Sequence, residues 1–205
     1  MIESLMIYWG QFTYFMNSGG VIMWVLFFLN LLLWYGLGYR YLTLKRGTRG
    51  NVRRLIEKHE KLKDKKIYVG LLDYAVQDAI IAAKIAKKIQ QKPREFIYDA
   101  LFPYIIVISK YSVLVKTIVM LAPLVGLLGT VIGMIETFDA LQSSSMFAQG
   151  DSIAGGISKA LFTTELGLVV AVPGLIIGKI LDKKEEQFSL EFEQIVDIIS
   201  TKDEK

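Results

Sequence analysis

The charged side chains of this chain are segregated along its length. Gly19–Tyr39 carries none, Thr117–Ile135 carries none, and Ala160–Gly178 carries only Glu165. A helix that crosses a bilayer needs about 20 mostly apolar residues, so the pattern predicts three spans. The 205 residues are 53% hydrophobic with mean hydropathy +0.40, and the polar remainder is too small to wrap three such helices as a soluble bundle. The fold class expected is an all-α membrane protein. Its organisation is read as an outer-surface amphipathic helix at 1–16 and transmembrane helices at 17–39, 111–138 and 157–181. A cytoplasmic helical segment at 40–110, an outer loop at 139–156 and a cytoplasmic helical tail at 182–205 complete it.

Orientation follows from the basic residues. Arg40 to Lys110 holds 17 Lys and Arg against 7 Asp and Glu, whereas 139–156 has no Lys or Arg and the first 18 residues carry only Glu3. Lys and Arg accumulate on the cytoplasmic side, which puts the N-terminus and 139–156 outside and 40–110 and the tail inside. The first span lacks a basic leader and an A-x-A site and is too long for a cleaved signal peptide. The opening "MIESLMIYWGQFTYFMNSGG" is rich in Trp and Tyr, which favour the lipid–water interface. That suits a helix lying on the outer surface over Ile2–Met16 rather than an extension of the first span.

Several functions are disfavoured by what the chain lacks. There is no cysteine and one histidine, His59, in the polar stretch "RRLIEKHEKLKDKK", where it reads as a solvated surface residue. Zinc sites lack their usual ligands, and a Ser-His-Asp triad would have to use His59. No GxxxxGK[ST] loop occurs. The reading is therefore not an enzyme, with no cofactor and no metal. The basic 40–110 segment lacks the interleaved aromatics of a nucleic-acid surface, so no nucleic-acid partner is expected. Contact with anionic lipid fits its juxtamembrane position.

Within that segment "RGTRGN" reads as a break, and residues 67–100 read as helix. Leu72, Val76, Ala79, Ile80 and Ala83 share one face, and Pro93 stops or kinks the helix. In the tail, eight acids face four bases, and Phe188, Phe192, Ile195 and Ile199 form an amphipathic stripe. The third span is expected to continue as helix into this tail, whose acids can meet the basic segment.

The spans themselves are rich in small residues. Gly126, Gly129 and Gly133 follow Pro123 in the second, and Gly167, Ala171, Pro173, Gly174 and Gly178 mark the third. Helices in lipid associate through such residues because close backbone approach supplies the packing. Counted from the outer ends, Thr130 of the second span and Thr163 and Thr164 of the third lie at matched depth, roughly 9–12 Å below the surface. Beside Glu165, they suggest a polar pathway. The alternative is that each hydroxyl bonds a carbonyl of its own helix.

"APLVGLLGTVIGMIETF" together with "GGISKALFTTELGLVVAVPGLIIGKIL" resembles the MotA/TolQ/ExbB proton-channel family, most nearly its ExbB and TolQ members. The resemblance spans about 75 residues, Leu114 to Phe188. It implies a subunit of a bacterial inner-membrane motor: a homo-oligomeric ring, thought to be five-fold, around single-span partners of the ExbD/TolR type. Proton flow would then energise a TonB-type protein. It also implies that the family's pore-lining threonines fall on Thr130 and Thr164. An acid is often found in the family motif "GIAEAL", and this chain has Lys159 there. Glu165 lies six residues on, about 120° away around the helix. A carboxylate inside the membrane marks an ion path or a buried pair. Three roles stay open for Glu165: a stop on the proton path, a packing acid, or a partner for Lys159 of an adjacent subunit. A TolQ-type envelope role, a flagellar-stator role and a non-conducting scaffold are the alternatives to the energising one.

Overall fold

The structure is a computed structural model that describes residues 2–45, 51–61, 70–143 and 149–203. Its elements are all helices: α1 (Ile2–Ser18), α2 (Val21–Thr43), α3 (Val52–Lys61), α4 (Leu71–Ile89), α5 (Pro93–Ser109), α6 (Ser112–Ser143) and α7 (Gln149–Asp203). Three stretches are long and apolar enough to cross a membrane, within Val21–Thr43, Pro93–Asp139 and Ile153–Thr201. The third span does continue into the tail, as one 55-residue helix. Helices α6 and α7 also run further into the 139–156 segment than its reading as a loop allows, to Ser143 and from Gln149. The "RGTRGN" break falls largely on 46–50, outside the described residues.

The chain divides into two compact units. The first comprises Met1–Leu37 and Leu114–Gly178. In it, α1 turns into α2 at Gly20, whose φ of +65° is a left-handed conformation that glycine adopts without strain. The Gly20 N–H donates to Asn17 O at 3.1 Å, and the Met23 N–H to Gly20 O at 3.2 Å. Helix α1 is held by Phe12 against Phe27 and Phe15 against Phe162, both edge to face, and by buried Met16. Its outer residues Met6, Ile7, Tyr8 and Trp9 are exposed. Along the α6–α7 contact the usual pattern is inverted, while α2 buries Met23, Leu26 and Leu33. Small residues such as Ala122, Gly126, Gly129, Gly133 and Gly167 are buried, while Leu124, Leu127, Leu161 and Val172 face outward. That distribution suits lipid, where apolar side chains lose nothing by pointing outward.

The second unit comprises Gly38–Val113 and Lys179–Lys205. Helices α4 and α5 form a hairpin. Helix α4 begins with the Asp73 carboxylate accepting from the Gly70 N–H at 3.2 Å. It ends at Ile89, where Gln90 takes a left-handed φ of 58°. The segment read as one helix over 67–100 is two helices from Leu71 on, and 67–69 lie outside the described residues. Pro93 opens α5 instead of stopping α4, since its missing N–H costs nothing at a first helical position. Leu72, Val76, Ala79 and Ala83 are buried as the periodicity required, and Ile80 is half-buried. His59 is also half-buried, with Nδ1 2.9 Å from Leu55 O, and not simply solvated.

The tail stripe is core: Phe188, Phe192, Ile195 and Ile199 are all buried, with Phe192 against Tyr104 of α5. Charge joins the same elements. Arg94 pairs with Asp197 at 3.2 Å on the surface. Arg40, 1% exposed, donates from Nη2 to Asp182 at 2.9 Å and to Glu185 at 2.6 Å. The acidic tail thus meets the basic segment through the buried Arg40 guanidinium, the Arg94–Asp197 pair and the hydrophobic stripe.

Candidate functional site

The site is built on the seam between α6 and α7. Glycines let the two backbones approach until a side-chain carbon has no room. A Cβ added at Gly126 would lie 2.9 Å from Thr163 O, and one at Gly167 would lie 2.8 Å from Ala122 O. One at Gly133 would lie 3.0 Å from both Ala160 N and Gly156 O, and one at Gly129 would run into the Thr163 side chain. These contacts fix an antiparallel register in which Gly126 and Gly129 meet Thr163 and Thr164, so that Thr130 lies within about one helical turn of both. Pro123 and Pro173 lie inside α6 and α7, and each leaves the carbonyl four residues earlier without its helical donor.

The three threonines lie within about one helical turn of one another but differ in what they face. Thr163 is fully buried in the seam, between Gly129 and Gly19, and donates to Ala160 O at 2.8 Å. It is a packing group within one chain and does not lie on an open face. Thr130 is half-buried and donates to Leu127 O at 2.6 Å. Thr164, also half-buried, reaches across to α6 and donates to Gly126 O at 3.3 Å. Each of these two follows a seam residue by one position, a rotation of about 100°. In an antiparallel pair, equal rotations fall on the same flank, so Thr130 and Thr164 border one edge of the seam together.

The opposite flank carries an ion pair. Lys159 Nζ of α7 donates to both carboxylate oxygens of Glu136 on α6, at 2.7 and 2.5 Å. The Gly20 turn lies directly on this lysine: a Cβ there would be 2.9 Å from Lys159 Cε. Glu136 is the residue that sequence reasoning passed over. Its signal was available, as the charge that ends the uncharged run Thr117–Ile135. Counting from Lys116 to Glu136 on α6 and from Lys159 to Lys179 on α7 gives 20 residues each, about 30 Å of helix, the thickness of a bilayer core. The pair therefore marks one end of both spans, and it occupies Lys159 within its own chain.

Glu165 lies six residues inward from Lys159, about 9 Å along the axis. Seam residues Thr163 and Gly167 flank it at two positions each, so it points to the far side of α7. It is exposed, among exposed Leu161, Leu168, Val169 and Val172. Among the described residues it has no hydrogen bond or ion pair. Among those residues, too, no cluster of three or more His, Asp or Glu could hold a metal ion.

The fold and the seam define a multi-pass, all-helical membrane protein whose second and third spans pack through glycines around hydroxyl groups. The sequence profile of the MotA/TolQ/ExbB proton channel family matches residues 72–194, and the chain belongs to that family. It is 29% identical over 199 residues to an ExbB-like biopolymer transport protein of Helicobacter pylori, covering 93% of this chain and 97% of that one. An ExbB-like protein of Synechocystis sp. is 36% identical over 74 residues, 36% of this chain. The match spans only 35% of that relative's length, about a third. The biopolymer transport protein ExbB of Aquifex aeolicus is 35% identical over 88 residues, 43% of this chain and 59% of its own. An ExbB-type role follows at the level of the family.

Proposed function

We propose that this chain is the proton-channel subunit of an inner-membrane motor that uses the proton motive force to energise a TonB-type protein. The observation that carries the reading is Glu165: a carboxylate with no partner among the described residues, centred on the outward aliphatic face of a membrane helix. Leaving it in lipid would be costly. Another copy or another chain therefore covers that face, and a homo-oligomeric ring, a pentamer in the resemblance, supplies the copies. An ExbD/TolR-type single-span protein with its own carboxylate stands inside the ring. Thr130 and Thr164 then orient water between the ring and that carboxylate, since neither hydroxyl titrates near neutral pH. Glu165 is a second stop for the proton. The chain sits in a Gram-negative inner membrane with its N-terminus periplasmic and its C-terminus cytoplasmic, as the basic 40–110 segment favours. The ExbB-like names of its relatives support energising outer-membrane transport over the TolQ-type envelope role or a flagellar-stator role.

The test is proton flux into proteoliposomes holding the chain with its single-span partner, read with a pH-sensitive dye. Thr130→Val and Thr164→Val each abolish flux while the native mass of the complex is unchanged. Glu165→Gln keeps assembly, because the amide mimics the protonated acid, and impairs flux. Parental flux in Glu165→Gln would make Glu165 a packing acid. Parental flux in both threonine variants would refute the threonine pathway, and absence of flux in the parent complex would leave a non-conducting scaffold.

A further inference from the structure

Helix α4 wears its apolar residues the wrong way round. Its buried face is mostly alanine, including Ala75, Ala79, Ala83 and Ala86, while Ile81, Ile85 and Ile89 are 44%, 47% and 54% exposed. These three isoleucines recur every four residues and form one ridge about 12 Å long. Exposed Lys84 and Lys88 lie along the same ridge. Apolar ridges of this kind on a helix outside the spans mark an interaction surface.

The same unit carries a complementary stripe. On the tail of α7, opposite buried Phe188, Phe192 and Ile195, the exposed residues are Glu186, Leu190, Glu193 and Asp197. The two stripes also match in height and direction. Tyr104 of α5 donates to Asp78 of α4 at 2.5 Å and its ring packs on Phe192 of α7. At the other end of α5, Arg94 pairs with Asp197. Helix α4 is antiparallel to α5 and α5 to α7, so α4 and α7 run parallel. The ridge 81–89 begins at the level of Phe192 and covers the heights of Glu193 and Asp197. Rotation about an axis along the helices changes no residue's height. Two stripes at the same level in one chain can therefore meet between rotated copies.

We propose that the isoleucine–lysine ridge of α4 docks on the Leu190–Glu193 stripe of α7 in a second copy of this chain. Such a contact joins two different patches, so it is head to tail and repeats from copy to copy until the ring closes. The inference rests on the reading that copies assemble, and the experiment separates the two. The chain has no cysteine, so Ile81→Cys with Leu190→Cys introduces the only two thiols, one on each outward face. In membranes, a short thiol cross-linker gives a ladder of covalent multimers, and native mass of the uncross-linked protein gives the assembly state. Lys84→Glu with Lys88→Glu lowers the ladder yield, and adding Glu193→Lys restores it. An oligomer by mass that yields no ladder overturns the docking and leaves the ring standing. A monomer by mass overturns both. Loss of the ladder in Lys84→Glu/Lys88→Glu without rescue by Glu193→Lys assigns the lysines to an anionic lipid surface and overturns the docking.

Discussion

The tail of α7 offers a direct comparison between burial and charge. In Phe192→Ser with Ile195→Ser, two side chains that are 2% and 0% exposed are truncated. Each loss costs about 2–5 kcal/mol for the apolar atoms and the cavity. Each serine hydroxyl left without a partner in that core adds about 1–3 kcal/mol. Glu185→Gln acts differently. The Glu185 carboxylate accepts from Arg40 Nη2 at 2.6 Å, and that guanidinium is buried with Nε and Nη1 lacking hydrogen-bond partners among the described residues. The amide still accepts a hydrogen bond but removes one of two negative charges beside the guanidinium, which costs about 1.5–3 kcal/mol for a charge-assisted bond. Glu186, one residue on, is exposed, and Glu186→Gln is expected to be silent. Thermal unfolding in detergent and limited proteolysis of the tail then rank the variants: the double core variant is the most labile, Glu185→Gln intermediate, and Glu186→Gln equal to the parent. Two results would refute the reasoning. If Glu185→Gln and Glu186→Gln behave alike, the buried Arg40 cluster has no special weight. If either carboxylate outranks the double core variant, charge and not burial holds the tail.

The span contacts give further expectations. Gly129→Leu forces the seam apart at Thr163 and costs about 1–3 kcal/mol or more, seen as a lower unfolding temperature and loss of the assembled mass. Gly10→Ala, on α1 with nothing within 4 Å, stabilises by about 0.5–1 kcal/mol through helix propensity and should raise that temperature. Lys159→Met destabilises by leaving Glu136 unpaired, and Glu136→Gln added to it recovers most of the loss; a thermal double-mutant cycle should show coupling of about 0.5–3 kcal/mol. Thr163→Val, whose hydroxyl bonds only its own helix, leaves proton flux at the parental level, in contrast to Thr164→Val.

Much of the fold was legible because lipid imposes a simple rule: a spanning helix must be apolar over a fixed length. The three spans, the α7 tail stripe and the helical segment holding Leu72 and Val76 all follow from spacing alone. What spacing could not settle was direction around each helix axis. Thr163 and Thr164 are adjacent in sequence and equal in depth. One is sealed against Gly129 and the other stands at the seam edge, and only the α6–α7 register separates them. Glu136 escaped notice because charge at the edge of a span is ordinary, and nothing local says that Lys159, 23 residues later, will return to it. Pro93 was ambiguous for a related reason. A proline stops one helix and starts the next with equal ease, and the choice rested on Gln90, which carries no strong local signal for a left-handed turn.

The glycine seam has a thermal consequence. Glycine and alanine have no rotamers to freeze, so closing α6 on α7 sacrifices no side-chain entropy at those positions. Its cohesion comes from dispersion and polar contacts in a medium without water, and it owes little to the release of hydration. The Phe188–Ile199 core outside the spans depends on that release, and hydration-driven burial weakens as temperature falls. Cooling should therefore loosen the tail core while the α6–α7 seam holds, giving one chain two different responses to cold.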